Sequence, residues 1–234
     1  MNASRLAVWK RLDLSTFEII FAVGLISLYD FVLSDALSLP SALRHSTLLQ
    51  LRALDRVVSG LEYLVPIVVF LLMLILWLRR RNNWVRNISI VYLAWVTLRL
   101  SAKVGLVLFL IIARQHAYLD VLLKDIIVLW FVIILLFSIW YWIIDGGGPH
   151  IRRDGTLQRY DFAFPQHLAT IPGWRDWRPG FWDYVFLGFC GSTQFSLGDT
   201  SALSIRAKCL LMLQTTLSII VIVFIASIAT GLIH

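Results

Sequence analysis

The fold of this chain is decided by residues 182–200, which read WDYVFLGFCGSTQFSLGDT. The apolar run Tyr184–Cys190 is too short to cross a bilayer, which requires about 20 apolar residues in a helix. Small polar residues and Gly198-Asp199 follow this run and predict a turn. The next apolar run, Cys209–Ile233, is long enough to cross. Together they predict a re-entrant segment, whose backbone at membrane depth is buried in protein or lines a wet cavity.

The composition is that of a polytopic helical membrane protein. Hydrophobic residues make up 59% of the 234 residues, and the mean hydropathy is +0.79. The long apolar runs favour helices over the short alternating strands of a transmembrane barrel. On this background, the net charge of +7 indicates cationic loops that contact anionic headgroups, not nucleic-acid binding. We therefore expect a protein integral to the plasma membrane (the bacterial inner membrane), with membrane lipids as partners and no nucleic acid.

The N-terminal half, residues 1–118, is predicted to contain three membrane spans. The apolar runs that predict them cover residues 16–37, 62–78 and 88–113. Between the first two, residues 41–60 mix leucines with arginines and aspartate, and the mixture is too polar to span. This stretch predicts an amphipathic helix that lies on the membrane surface or against the bundle.

Two charges interrupt the third span. Arg99 and Lys103 lie four residues apart, on one face of the predicted helix. A charge at this depth costs at least about 2.5 kcal/mol, so we expect a partner or water beside it. Asp30 is the nearest candidate by depth, with Asp35 or Asp125 behind it. A structural ion pair, or snorkelling to the interface, is favoured over a voltage sensor because two cations do not make a repeated series.

The C-terminal half, residues 119–234, is predicted to form a second unit. In chain order it contains an outer helix at 119–144, a collar at 145–180, a re-entrant helix at 181–193, a turn at 193–200 and an inner helix at 202–233. The collar mixes arginines with tryptophans and indicates a segment at headgroup level. The glycine run within 145–149 lacks the Lys-Ser/Thr of a phosphate loop and predicts only a helix break. Ser201 or Ser204 is expected to cap the inner helix.

This order resembles the pore domain of the tetrameric potassium-channel superfamily. Phe181–Tyr184, Ser192-Thr193, Gly198-Asp199 and Arg206 are similar to its pore helix, its filter and the start of its inner helix. The chain is also similar to small uncharacterised bacterial multi-pass proteins of that kind. The resemblance covers residues 119–234 and implies a homotetramer. It implies a filter-like turn made of Thr193, Gln194, Phe195, Ser196, Leu197, Gly198 and Asp199, with Asp183, Tyr184 and Ser192 supporting the pore helix.

The filter-like turn (residues 193–200) departs from the pattern of that superfamily. Phe195 and Leu197 stand where its filter has glycines, which aim successive carbonyls inward through backbone angles that other residues adopt reluctantly. We therefore expect selectivity to come from side chains instead of carbonyls. A ring of aspartates would favour cations. The side chains in question are Thr193, Gln194, Ser196 and Asp199.

The distribution of cations conflicts with the topology of that superfamily. The positive-inside rule places the N-terminus in the cytoplasm and the C-terminus outside, with five crossings. A potassium-channel pore loop enters from outside, which requires the reverse. Three explanations stay open: the long collar weakens the rule, the re-entrant loop enters from the cytoplasm, or a helix is miscounted. Residues 41–60 are the first candidate for a miscount.

The fold-class prediction is an all-α polytopic bundle of five transmembrane helices plus one re-entrant pore helix. The favoured function is an oligomeric cation channel with an atypical filter and a permeant ion as partner. The alternative is a non-conducting scaffold or subunit that keeps the pore-loop fold for packing or partner binding. In that case Asp183, Tyr184 and Thr193 would form a structural hydrogen-bond set.

No enzymatic activity is expected from the residue pattern. The spans contain no paired carboxylates at helical spacing and no nucleophile with a base. Asp183 and Asp199 flank Cys190, but isolated groups of these types more often serve structure. The five histidines are scattered, and Cys190 and Cys209 give neither a metal-ligand spacing nor a disulfide framework. We expect no catalytic residue, no metal and no cofactor.

Overall fold

A computed structural model describes residues 23–24, 49–79, 82–112, 119–148, 159–168 and 177–231. This part of the chain is mostly helical, which confirms the helical character of the predicted class, whereas the number of spans and the re-entrant pore helix stay predictions. A single turn of 3-10 helix covers Asp145–Gly147. The described helices are α1 (Leu49–Leu78), α2 (Asn82–Ile112), α3 (Leu119–Ile144), α4 (Pro165–Leu168), α5 (Phe181–Thr193) and α6 (Ile205–Gly231), and the strands are β1 (Phe162–Ala163) and β2 (Ser201–Ala202).

Only two described residues belong to the first predicted span. Val23 and Gly24 are helical, and Val23 is fully buried. A Cβ atom on Gly24 would lie 2.9 Å from the ring of Phe70. The first segment therefore packs against α1 at this point, and the rest of the predicted span 16–37 lies outside the described residues.

The helix α1 corrects the predicted boundary between an amphipathic helix at 41–60 and a span at 62–78. From Leu49 onward the chain forms one continuous helix of 30 residues. Gly60 costs a helix only about 1 kcal/mol relative to alanine. Pro66 also lies inside α1, although a proline removes one backbone hydrogen bond of the helix. The helix therefore continues through two residues that locally disfavour it.

Two side-chain hydrogen bonds fix α2 against α3. Near the start of α2, Arg86 Nη1 donates to the carbonyl of Gly147, at a distance of 2.8 Å. Farther along, Trp140 Nε1 of α3 donates to Thr97 Oγ1 of α2, at 2.9 Å. The first contact joins the start of α2 to the end of α3. The second joins residues that lie farther forward in α2 and farther back in α3, so the two helices run antiparallel.

The helix α3 is the centre of the described bundle. It contacts α2, α5 and α6, and most of its described side chains are buried, with Ile127 and Phe131 as exposed exceptions. Phe137, Tyr141 and Trp142 are among the largest fully buried side chains. A helix that is apolar all round is expected to be buried all round. Its sequence, which is almost entirely apolar from Ile126 to Ile144, therefore explains its position.

The helix α6 has one buried face and one exposed face. In the described part of the chain, two stretches are long and apolar enough to cross a membrane: Ile126–Gly147, which includes most of α3, and Ile205–Ser227 in α6. The first is 67% buried and the second only 28%, so α6 lies at the edge of the bundle. Many of its exposed large side chains are nonetheless apolar, among them Ile205, Met212, Ile219 and Val223.

Candidate functional site

The short helix α5 runs along α3 from the end of α3 towards its middle. In the first turn of α5, the Tyr184 hydroxyl donates to Asp145 Oδ2, just beyond the end of α3, at 2.5 Å. Five residues later, the ring of Phe189 lies 6.3 Å from that of Trp130, in the first half of α3. These contacts make α5 antiparallel to α3. With 13 residues, α5 is about 20 Å long, which is less than a bilayer core.

After α5 the chain returns to the level at which α5 began. Strand β2 pairs antiparallel with β1, with Phe162 opposite Ala202. The backbone amide of Leu203 donates to the carbonyl of Asp161, at 2.8 Å. Asp161 also binds the turn that ends α3, through the backbone amide of Gly146. Residues 194–200 can cover about 23 Å when extended, which is enough to return along the length of α5.

Asp183 fixes the start of α5. Its Oδ2 atom accepts a hydrogen bond from the backbone amide of Gly180, at 2.7 Å, and its own amide donates to the Gly180 carbonyl, at 3.2 Å. A carboxylate in the first turn also interacts favourably with the positive end of the helix dipole. The structure therefore places this predicted supporting residue at the cap of α5.

Two aspartates join the end of α3 to the starts of α5 and α6. The fully buried Asp145 accepts hydrogen bonds from the amides of Asp161 and Phe162, at 2.7 and 3.3 Å, and from the Tyr184 hydroxyl. The Asp161 carboxylate is bound in turn by Arg206 in the first turn of α6, through Nε and Nη2, both at 2.7 Å. We call Asp145, Asp161, Tyr184 and Arg206 the carboxyl clasp.

Aromatic rings cover the carboxyl clasp. The ring of Phe162 in β1 is fully buried and lies 5.1 Å from Tyr141 and 6.4 Å from Tyr184. Phe164 lies 5.5 Å from Tyr184 on the other side. Edge-to-face contacts of this kind hold the collar segment against α3 and α5 and exclude water from the carboxyl groups.

The Arg206–Asp161 ion pair is the electrostatic centre of the clasp. Burial alone would raise the pKa of Asp161, but side-chain hydrogen bonds from Arg206 and Ser204 and a backbone hydrogen bond from Gly146 outweigh it and lower the pKa. Ser204 also accepts a hydrogen bond from the amide of Ala207, at 3.2 Å, and so caps α6. Ser204 is one of the two serines predicted for this role.

Acidification should destabilise the clasp only in strongly acidic solution. Because the folded pKa of Asp161 lies below its ordinary value of 3.8, the carboxylate stabilises the fold above that pH. This contribution is lost as the pH falls through the folded pKa. We expect the difference in thermal unfolding midpoint between wild type and Asp161→Asn, in detergent micelles, to be constant from about pH 5 to 8 and to shrink at lower pH. Equal midpoints at neutral pH would contradict the stabilising pair.

A second polar cluster lies between α3, α5 and α6. Nε2 of the fully buried Gln214 donates to the carbonyl of Gly188, at 2.6 Å, and to Ser192 Oγ, at 2.8 Å. Its Oε1 accepts from the Tyr141 hydroxyl, and Ser218 Oγ donates to Ser192 Oγ, at 3.0 Å. We call these five residues the amide cluster. The predicted supporting residue Ser192 therefore contacts the middle of α6.

The filter-like turn starts from a regular helix end. Thr193 Oγ1 donates to the carbonyl of Phe189 in its own helix, at 2.8 Å, and the amide of Gln194 donates to the carbonyl of Cys190, at 2.8 Å. The Thr193 hydroxyl therefore donates its proton within the helix, while its oxygen keeps lone pairs for other partners. The Gln194 side chain is exposed.

The rest of the turn is mostly exposed and contains one buried residue. Phe195, Ser196, Gly198 and Asp199 are exposed, whereas Leu197 is buried. Phe195 and Gly198 have φ angles of 56° and 62°. The first value is unusual for a residue with a side chain and costs free energy that the rest of the fold must supply. Asp199 stands at the exposed end of the turn, as an anionic group beside neutral polar ones.

The predicted intramembrane charges are not brought together by the described residues. Arg99 is half-buried in α2. The backbone of Lys103 lies in the same helix, one turn away, but its side chain is outside the described set. Asp30, Asp35 and the side chain of Asp125 also lie outside it. The pairing of Arg99 or Lys103 with an aspartate therefore stays a prediction.

Within the described ranges, no three His, Cys, Asp or Glu residues are grouped so that they could hold a metal ion. The site is instead a hydrogen-bonded scaffold that holds an exposed polar turn. Sequence reasoning missed most of this scaffold. The missed residues are Tyr141, Asp145, Asp161 and Gln214.

The missed residues carried weak local signals. Gln214 is a carboxamide inside a long apolar helix, where a polar side chain requires a partner. Asp145 adjoins the end of an apolar helix, and the glycine run that follows it predicts only a helix break. No protein-family model, curated protein or solved structure matches this chain, so its function is inferred from the geometry above.

Proposed function

We propose that this chain is an integral membrane protein whose copies assemble around a cation path lined by the filter-like turn. One observation carries the proposal. The helix α5 enters the bundle beside the end of α3 and the start of α6, and it stops near the middle of α6. The chain then returns to the end of the bundle at which α5 began. In a membrane, this arrangement leaves an exposed polar turn at the depth of the bilayer's hydrocarbon core.

The exposed surfaces support a membrane environment. The outer face of α6 exposes Met212, Ile219 and Val223, and the outer face of α1 exposes leucines, isoleucines and Val68. On α5, the side chains of Trp182 and Phe186 are 79% and 61% exposed. Apolar surface of this extent on three helices is what lipid or neighbouring copies would cover.

The depth of the filter-like turn supports an assembly of several copies. Ser192, next to the turn, contacts Ser218, which lies 13 residues from the start of α6. That separation corresponds to about 20 Å along the helix, past the middle of a bilayer core. Irregular backbone is tolerated at this depth only when protein buries it or water solvates it. A single re-entrant loop encloses no pore, so copies must supply the other walls.

The chemistry of the turn favours cations. Asp199 would place one carboxylate per copy at the path, and Gln194 and Ser196 add neutral oxygen atoms. Rings of carboxylates attract cations through side chains, without the regular carbonyl array of a potassium filter. The resemblance to the potassium-channel superfamily suggests four copies.

A non-conducting scaffold is the second candidate. It is favoured by the burial of Leu197 inside the turn and by the bond of the Thr193 hydroxyl to its own helix. The first feature directs the Leu197 side chain away from a central path, and the second directs the proton of the Thr193 hydroxyl away from it. In this case the carboxyl clasp and the amide cluster would simply pack a short helix into a bundle. The two candidates differ in whether wild-type protein conducts ions.

Cation flux through reconstituted protein tests the proposal. Loss of one charge about 4 Å from a permeant ion costs about 1 kcal/mol even in water, so Asp199→Asn should reduce cation flux about fivefold or more. We expect wild-type protein in liposomes to pass monovalent cations in preference to chloride. The measurement is ion-dependent dye quenching at matched protein density.

The control for this experiment is Asp154→Asn, the same chemical change in the predicted collar, which should leave the flux unchanged. Absence of flux through wild-type protein, across varied voltage, pH and cation, would contradict the channel and favour the scaffold. A monomeric mass in nanodiscs would do the same. Equal fluxes through wild type and Asp199→Asn would remove Asp199 from the path.

A further inference from the structure

Gln214 makes hydrogen bonds to two other helices from the interior of α6. It lies nine residues after Ile205, about 13 Å along the helix, and is fully buried. Both donor positions of its amide group are directed to α5, at Gly188 O and Ser192 Oγ. Its oxygen accepts from Tyr141 of α3. The side chain is therefore hydrogen-bonded at both ends of its amide.

The orientation of this amide is fixed by its partners. The carbonyl of Gly188 can only accept a hydrogen bond, so the NH2 group of Gln214 must face α5. The oxygen then faces the Tyr141 hydroxyl, which can donate. A carboxylate of the same shape has no donors and would face the Gly188 carbonyl with a negative charge. The site is thus specific for an amide.

The surface of α5 accommodates the amide of Gln214 at Gly191. Gly191 leaves the space that the amide occupies, because a Cβ atom there would lie 2.8 Å from Gln214 Oε1. The neighbours Cys190 and Ser192 carry side chains. A shift of α5 by one residue along α6 would therefore place a side chain against the amide and break both donated hydrogen bonds. The contact therefore disfavours a one-residue slip of α5 against α6.

We propose that Gln214 is the positioning residue of the filter-like turn, because it sets how far α5 extends along α6. The turn begins at the last residue of α5, only one position after Ser192. Each residue of slip along a helix moves the attached chain by about 1.5 Å. Loss of the amide therefore changes the depth and solvent exposure of Gln194–Asp199. The inference deepens the proposed function and rests on it for the role of the turn.

Thiol accessibility measures the position of the turn directly. The reporter is Ser196→Cys in a Cys209→Ser background, which removes the exposed native cysteine and keeps the buried Cys190. The reporter protein is reconstituted in liposomes and treated with a charged, membrane-impermeant methanethiosulfonate. The initial modification rate is compared between the reporter alone and the reporter with Gln214→Met, which has similar length and no amide.

We expect Gln214→Met to change the modification rate about tenfold, the factor that corresponds to a shift of about 1.4 kcal/mol in the exposure of the thiol. Thr216→Val is the matched control, because the Thr216 hydroxyl is exposed and bonds to Met212 of its own helix. It should leave the rate unchanged. An unchanged rate in folded Gln214→Met protein would overturn the proposal.

Two further variants test the positioning role of Gln214 if Gln214→Met does not fold. Ser192→Ala removes one acceptor of the amide, and Gly191→Ala displaces the amide from α5 by steric contact. Both should change the rate in the same direction, and Gly191→Ala should have the larger effect. Rates equal to that of the reporter alone in both variants would overturn the proposal.

The modification rate and the ion flux are separate measurements. A liposome that passes no cations, but whose reporter rate depends on Gln214, would contradict the proposed channel and retain the positioning role. A conducting protein whose reporter rate ignores Gln214, Ser192 and Gly191 would retain the channel and remove the positioning role. Each proposal can therefore fail without the other.

Discussion

The Gly188→Ala variant is expected to unfold more readily than wild type, whereas Gly105→Ala is expected to be slightly more stable. A Cβ atom on Gly188 would lie 2.3 Å from Ser138 Oγ and 2.8 Å from the carbonyl of Ile134. Rotation of Ser138 would relieve only the first contact, because the second atom belongs to the backbone of α3. Either α5 moves away from α3 or both helices distort, and overpacking of this kind costs about 1–3 kcal/mol.

Gly105 is the matched control because it is also a helical glycine. Among the residues that the structure describes, nothing lies within 4 Å of the place where its Cβ atom would be. Alanine is favoured over glycine in a helix by about 1 kcal/mol, so this substitution should raise the free energy of unfolding. The measurement is unfolding of purified protein in mixed micelles, followed by circular dichroism.

The two substitutions are expected to change the free energy of unfolding in opposite directions, which makes the comparison decisive. A general effect of alanine on membrane helices would move both variants in one direction. Destabilisation of Gly188→Ala alone assigns the effect to the contact between α5 and α3. Equal or greater stability of Gly188→Ala would contradict the close packing that places the filter-like turn. A larger residue, as in Gly188→Leu, should prevent the packing of α5 altogether.

The helices themselves were largely readable from local pattern. The structure has α3 at Leu119–Ile144, as hydropathy and length predict, and α5 at Phe181–Thr193, which contains the predicted apolar run Tyr184–Cys190. Both are bounded by polar or glycine-rich sequence, so the local signal and the fold agree. The prediction was wrong for α1, where Gly60 and Pro66 lie inside one helix. There the local signals and the packing disagree, and packing decides.

The scaffold of the candidate site was not readable in the same way. Asp145 binds the amide of Asp161, 16 positions away, and Tyr141 binds Gln214, 73 positions away. Hydropathy and spacing describe neighbours within a few turns and carry no information on such pairs. A buried amide or carboxyl group predicts that a partner exists, because an unpaired one is costly, but it does not identify the partner.

The position of the filter-like turn was readable, but its conformation was not. The polar run between α5 and α6 marks the turn in the sequence. Its backbone contradicts simple expectation, since Phe195 has a positive φ angle and Leu197 is buried. Such a conformation persists only where surrounding contacts impose it. The contacts in question belong to the carboxyl clasp and the amide cluster, which tie down both ends of the segment.

The Asp145→Ala variant is expected to lose several kcal/mol of stability, more than any other single change in the clasp. Asp145 is fully buried and accepts from two backbone amides and the Tyr184 hydroxyl. Truncation leaves three buried donors without this acceptor, and each unsatisfied group costs about 1–3 kcal/mol. The measurement is the thermal unfolding midpoint in detergent micelles, together with the rate of proteolysis in the collar.

Asp145→Asn and Tyr184→Phe separate the contributions within the clasp. Asparagine keeps an oxygen for the amides of Asp161 and Phe162, and the Tyr184 hydroxyl can accept from its NH2 group. Phenylalanine at 184 removes one donor and leaves the backbone contacts intact. We therefore expect the loss of stability to be largest for Asp145→Ala and smaller for both other variants. Equal losses would mean that the tyrosine contact carries the whole effect.

The double variant Asp145→Ala with Tyr184→Phe tests whether the clasp acts as a unit. If the Tyr184 hydroxyl contributes chiefly through Asp145, its removal should cost little once Asp145 is alanine, and the two losses will not add. Strict additivity would contradict the clasp. Because Asp161 links Asp145 to Arg206 at the start of α6, loosening the clasp should also change the modification rate of the Ser196→Cys reporter. The end of α3 would then control the turn through the return strand β2, independently of Gln214.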